Sequence, residues 1–137
     1  MSYTLSFIAL QDYDTRDVGI SIPVILRFGS DTVGLIAKLD TGSSLCIFER
    51  LYAEKLGLDI ESGSYQRIST VTGSFIAYGH EVTLSVLGIE TRAVVYFAED
   101  ENFSRNVLGR QGWLDRVRLG LVDYEGKLYL SDYNDPA

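Results

Sequence analysis

From Val18 to Phe28 the chain reads Val-Gly-Ile-Ser-Ile-Pro-Val-Ile-Leu-Arg-Phe. Apolar and polar positions alternate there and then merge into a continuous apolar run, which predicts a β-strand. Gly29-Ser30-Asp31-Thr32 follows as a turn into a second strand ending at Asp40. Pro23 has no N–H to donate, so it belongs at a strand edge or bulge. The pattern then changes. Phe48 to Leu56 carries good helix formers (Glu49, Arg50, Leu51, Ala53, Glu54, Lys55, Leu56), with Gly57 at the position just past a helix end. Ile76 to Leu87 and Ile89 to Ala98 read as strands hinged at Leu87-Gly88. Gln111 to Arg118 predicts a short helix with Trp113, Leu114 and Val117 on one side. Two last strands, near Leu119 to Tyr124 and Lys127 to Tyr133, pair across Glu125-Gly126. No repeat, linker or second domain interrupts the pattern. It predicts one all-β domain over residues 1–137 with one main helix.

Composition narrows what such a domain does. A chain of 137 residues with 46% hydrophobic and 23% charged residues can bury a single substantial core and reads as soluble and globular. Its formal charge of -7 argues against nucleic acid or an anionic membrane as partner, since both call for a basic surface. No apolar run approaches the ~20 residues that span a bilayer. Met1-Ser2-Tyr3-Thr4-Leu5 lacks the basic region and long apolar stretch of a secretory signal. One cysteine excludes an internal disulfide framework and suits a reducing compartment, so the expected location is the cytoplasm.

The chemistry concentrates at Leu39-Asp40-Thr41-Gly42-Ser43-Ser44. A glycine after Asp-Thr lets the backbone turn sharply and approach a substrate closely. The small hydroxyl residues can hold the loop through bonds to neighbouring backbone. As a bare tripeptide, Asp-Thr-Gly is an ordinary surface turn. Here apolar residues lead in (Val33, Leu35, Ile36, Leu39) and out (Leu45, Ile47, Phe48), which argues against a simple exposed loop.

Three stretches in order carry a resemblance to the retropepsin-like aspartic proteases, the group that includes retroviral proteases and many small bacterial relatives. They are Leu39 to Ser44 with the following Ile47-Phe48 and Leu51 to Leu58; Thr70-Val71-Thr72-Gly73-Ser74; and Asn106-Val107-Leu108-Gly109-Arg110. The resemblance implies a single-lobe acid-protease fold, a closed or partly open barrel with one or two short helices. It implies an aspartic endopeptidase in which Asp40 is catalytic and Thr41 and Gly42 support it. Thr41 would bond across a dimer axis, and the Gly42 carbonyl would meet substrate backbone. Ser43, Ser44, Gly109 and Arg110 would lie about the substrate, with Val71, Thr72, Gly73 and Ser74 in a flap above it. Such enzymes need two carboxylates sharing one proton, a system used as a standard worked case of pKa tuning. The chain has one Asp-Thr-Gly; Asp31-Thr32 is followed by Val33. The active form is therefore expected to be a homodimer joining two copies of Asp40, acting on a peptide or protein substrate. No metal, nucleotide or organic cofactor is implied.

One departure stands out. Retroviral members follow Asp-Thr-Gly with Ala and an acidic residue that pairs with the arginine of the Gly-Arg motif; this chain has Ser43 and Ser44. Arg110 thus lacks its usual partner. The Ser-Ser ending looks more like the amino-terminal lobe of pepsin-type enzymes, where serine bonds near the carboxylate.

Other residues read as structural. Cys46, between Leu45 and Ile47, suits a small packed hydrophobe. His80 has no second histidine with which to build a triad or a histidine zinc site. Glu99-Asp100-Glu101 reads as a solvated loop, and Trp113 as a core anchor. Two other classes stay open: a non-catalytic peptide- or protein-binding module that keeps the fold, and a β-barrel carrying a small apolar ligand.

Overall fold

The computed structural model describes residues 1–136, which form ten strands and one α-helix. In chain order the first strands are β1 (Ala9–Asp12), β2 (Ser21–Phe28), β3 (Asp31–Leu39) and β4 (Ile47–Phe48), followed by the helix α1 (Arg50–Lys55). Then come β5 (Ser64–Thr70), β6 (Gly73–Val86), β7 (Ile89–Ala98), β8 (Val107–Leu108), β9 (Val117–Val122) and β10 (Lys127–Asp132).

Two-residue turns make the main hairpins. Gly29-Ser30 joins β2 to β3, Val71-Thr72 joins β5 to β6, and Leu87-Gly88 joins β6 to β7. Leu87 and Gly88 have φ of 52° and 80°, the mirror-image turn whose twist matches that of the strands it joins. A leucine in that conformation costs about 1 kcal/mol, offset here by packing of its side chain against the core.

The seven-stranded sheet runs β2-β3-β8-β4-β7-β6-β5, and β2 also pairs with β6 through Ile25 to Arg27. That extra pairing joins the run into a ring of six strands, with β5 as an outer flange. The result is an all-β, partly closed barrel, as expected. Its weak side is the pair of two-residue strands β4 and β8. Pro23 falls on β2 beyond the reach of β6, an edge-like position. β1, β10 and β9 form a separate antiparallel sheet. Its Leu128 and Leu130 join Ile22, Leu26, Phe48, Leu84, Phe97, Leu108 and Trp113 in the one buried core cluster.

The helices depart from the sequence pattern in two places. Phe48 is not helical: with Ile47 it pairs in parallel with Tyr96 and Phe97 and is fully buried, so the helix begins only after Glu49. Its end is as expected, with Gly57 at φ 71°. The helix expected over Gln111 to Arg118 is a single 3-10 turn at Leu114–Arg116. Gly112 at φ 98° interrupts it, and Val117 pairs with Asp132 to begin β9. Trp113 is buried, the anchor its neighbours suggested.

Candidate active site

Backbone bonds from distant segments build the Asp40 loop. Strand β8 lies parallel to the end of β3, with Lys38 opposite Val107 and Leu39 opposite Leu108. Beyond the strand, the Asp40 amide donates to the Leu108 carbonyl at 3.0 Å. The Ser43 amide then donates back to the Asp40 carbonyl at 3.1 Å, closing a tight turn. Inside that turn the Gly42 amide donates to Oδ1 of Asp40 at 3.0 Å and fixes the carboxylate. The outgoing strand is tied to the same segment: the amides of Arg110 and Gln111 donate to the carbonyls of Ser43 and Ser44, each at 2.9 Å. Gly109 lies buried beneath. A Cβ there would sit 2.7 Å from the Ser43 carbonyl oxygen and closer still to that of Leu45. Cys46 is fully buried and its Sγ accepts from the Gly109 amide at 3.4 Å. Burial pushes its thiol up to about 11, so it is a packed, unreactive side chain.

Two cavities meet at Asp40. One, of about 280 Å³, lies between the Asp40 loop and the β5–β6 hairpin. Its floor is Asp40, Gly42 to Leu45 and Ile47; Ile68, Ser69, Thr70 and Phe75 come from the hairpin, and Phe103, Arg105 and Val107 from the far wall. Phe75 and Phe103 stack with ring centroids 4.6 Å apart, tying hairpin to wall. The other cavity, of about 320 Å³, is lined by Gly19, Ser21, Ile36, Lys38, Leu39, Asp40 and the segment Ser104 to Val107. Asp40 is the one carboxylate lining either cavity among the described residues.

The candidate residues named by sequence distribute unevenly. Asp40 and Ser43 are half-buried, whereas Thr41, Gly42 and Ser44 are exposed. The Ser43 hydroxyl donates to the Leu45 carbonyl at 2.7 Å, so the carboxylate takes its bond from Gly42 and not from serine. Val71, Thr72, Gly73 and Ser74 form the exposed hairpin tip, and their flanking neighbours Thr70 and Phe75 line the cavity. Arg110 is exposed and borders a third hollow with Ser44, Gln111, Leu114 and Asp115. Among the described residues it forms no ion pair; its backbone holds the loop. Sequence reasoning named Asn106 only as the start of the Gly-Arg stretch and did not single out Lys38, Ile68, Phe103 or Arg105. Arg105 and Asn106 directly precede or begin the Val-Leu-Gly-Arg stretch, and that adjacency was the available signal. His80 rests with Nε2 2.8 Å from the Ile60 carbonyl oxygen. Asp100 caps its own loop at the Asn102 amide.

No family model matches the sequence, and no curated protein matches it. Solved structures do. A retropepsin-like aspartic protease from Rickettsia conorii superposes with a TM-score of 0.65 at 18% identity, covering 94% of this chain and 96% of its own. The EIAV protease, solved with the inhibitor HBY-793, superposes with a TM-score of 0.51 at 19% identity, covering 66% of this chain and 80% of its own. The chain has the retropepsin-like aspartic protease fold. At these identities the likeness carries the architecture, and chemistry has to be argued from the site. Within the retropepsin-like fold this chain forms a single lobe, with the Asp40 loop on the floor of a cavity and the β5–β6 hairpin across from it. No helix among the described residues is long and apolar enough to cross a membrane.

Proposed function

We propose that the chain is an aspartic endopeptidase that works as a homodimer, with Asp40 of each copy meeting at the two-fold axis. The observation that carries this reading is a single carboxylate, fixed by the Gly42 amide at a loop tip, where two cavities join, one of them beneath a hairpin. No second carboxylate of the same chain lines those cavities among the described residues, so a paired site needs a second copy. In this reading Thr41, exposed beside Asp40, would bond its counterpart across the axis.

Two carboxylates at short range resist ionising together, so the pair holds one proton. The ionised Asp40 takes a proton from a water between them, and the oxygen of that water attacks the scissile carbonyl carbon. The protonated Asp40 gives its proton to the carbonyl oxygen. The resulting tetrahedral diol collapses: the C–N bond breaks, the amide nitrogen is protonated, and a carboxylic acid and an amine leave. Extended substrate would pair strand-wise under the hairpin, whose closure excludes other water.

The test is cleavage of a mixed, unstructured peptide library by concentrated protein from acid to neutral pH, beside Asp40→Asn. The expected result is cleavage by the wild type and a loss of roughly a thousandfold or more in the variant. Sedimentation of the same sample should give a dimer. A folded, dimeric wild type that cuts nothing would leave the peptide-binding module as the better reading.

A further inference from the structure

The two cavities that share Asp40 differ in chemistry. The one under the hairpin sets the apolar Ile47, Ile68, Phe75, Phe103 and Val107 beside serines and Arg105, which both cavities share; Lys38 belongs to the second alone. The other presents Lys38 and Arg105 among the small neutral groups of Ser21, Ser104 and Asn106. We propose that this second cavity is a subsite for an acidic side chain, so that the preferred substrate carries a glutamate or aspartate beside the bond to be cut, next to an apolar residue. The inference rests on the peptidase reading of Asp40 and names the substrate class for it.

Neither cation has a partner among the described residues. Acidic residues outnumber basic ones by 19 to 12, and Arg16, Arg27, Arg50, Arg92, Arg116 and Lys127 each hold a carboxylate. Lys38 and Arg105 form neither ion pair nor side-chain hydrogen bond among the described residues. Lys55 and Arg110 are alike in this, but they lie away from the Asp40 cavities.

The fold holds the two cations side by side. Lys38 faces Val107 in parallel register, and its amide donates to the Asn106 carbonyl at 2.9 Å. Its stem lies over Gly19, where an added Cβ would come within 3.2 Å of Lys38 Cδ. Glu49, which lies behind Asn106 and outside the cavity, is occupied by it: Nδ2 donates to Glu49 Oε2 at 2.7 Å while Oδ1 accepts the Glu49 amide at 3.0 Å. The cations are thus left for a ligand. The chain as a whole is negative and repels acidic peptides at long range, so selectivity must arise from contact inside the cavity. There the Lys38 ammonium and the Arg105 guanidinium line one cavity, and charge-assisted bonds are about twice as strong as neutral ones.

The experiment compares eight-residue peptides with a central Phe-Glu or Glu-Phe pair against their Phe-Gln and Gln-Phe twins, which match them in shape and lack the charge. Wild-type kcat/KM should favour the glutamate member of at least one order roughly tenfold, and Lys38→Gln/Arg105→Gln should bring that ratio to about one. The same labelled peptides are titrated against Asp40→Asn, alone and with the double substitution, following anisotropy. Tighter binding of the glutamate peptide that the double substitution abolishes upholds the subsite even where nothing is cut, and in that case the peptidase reading alone falls. Glutamate and glutamine peptides bound and cut alike would overturn the proposal.

Discussion

Gly109 lies directly beneath Leu45, with no room for a side chain between its Cα and the carbonyls of Leu45 and Ser43. Those obstacles are backbone: the Ser43 carbonyl accepts from the Arg110 amide and the Leu45 carbonyl from the Ser43 hydroxyl, so they cannot rotate aside. Gly109→Ala should therefore force the Asp40 loop away from β8. The expected cost is about 3 kcal/mol, read as a lower urea midpoint in the folded protein.

Asn106 bridges the cavity wall to the start of α1 through its two bonds to Glu49. Asn106→Ala removes both and leaves the half-buried Glu49 without them. A loss of about 2 kcal/mol is expected, near 1 for each bond. Denaturant unfolding checks it, and a loss below a few tenths would mean that water replaces the amide.

The Phe75–Phe103 stack is the direct side-chain tie between the hairpin and the far wall of the 280 Å³ cavity. Both rings are only half-buried, so their contribution is local. Phe103→Ala should speed amide exchange at residues 69–74 while changing global stability by no more than about 1.5 kcal/mol. Unaltered exchange in the hairpin would show that the stack does not restrain it.

The Cys46 thiol, raised by burial from an ordinary 9.0 to about 11, gives a pH signature with a definite sign. Between those values the folded chain keeps a proton that the unfolded chain has lost, so stability falls as pH rises through that window. Cys46→Ala should show a shallower fall than wild type from pH 9 to 11 in parallel unfolding curves. At pH 8 the folded thiol should also alkylate roughly a hundredfold more slowly than the unfolded one, following its thiolate fraction.

Where local chemistry decided the structure, the sequence was readable. Gly29-Ser30, Leu87-Gly88 and Glu125-Gly126 all mark real turns, and Gly57 ends the helix. The strands that escaped notice lack a local signature. β4 and β8 are two residues each, too short to show a period. β5 is a flange with mostly exposed side chains, held to β6 by backbone pairing. β1 pairs with β10, more than a hundred residues away. The false helix over 111–118 came from apolar spacing that Gly112 and the pull of β10 on Val117 override.

The candidate site divides in the same way. Asp40 and Gly42, which the fold puts at the floor of the cavity, could be picked out because a short motif carries them. Lys38, Phe103 and Arg105 were not, since only the folded chain brings an alternating strand position and a polar loop to the two sides of Asp40.

The insertion of β8 between β3 and β4 also fixes an order of events. Residues 39 to 46 are close neighbours in sequence, yet the floor on which they rest comes from residues 107 to 111. Closing a loop of that length is slow compared with forming the hairpins. A ribosome must therefore release most of the chain before the Asp40 turn can take its final shape, and a nascent fragment ending before Val107 carries the motif without its geometry.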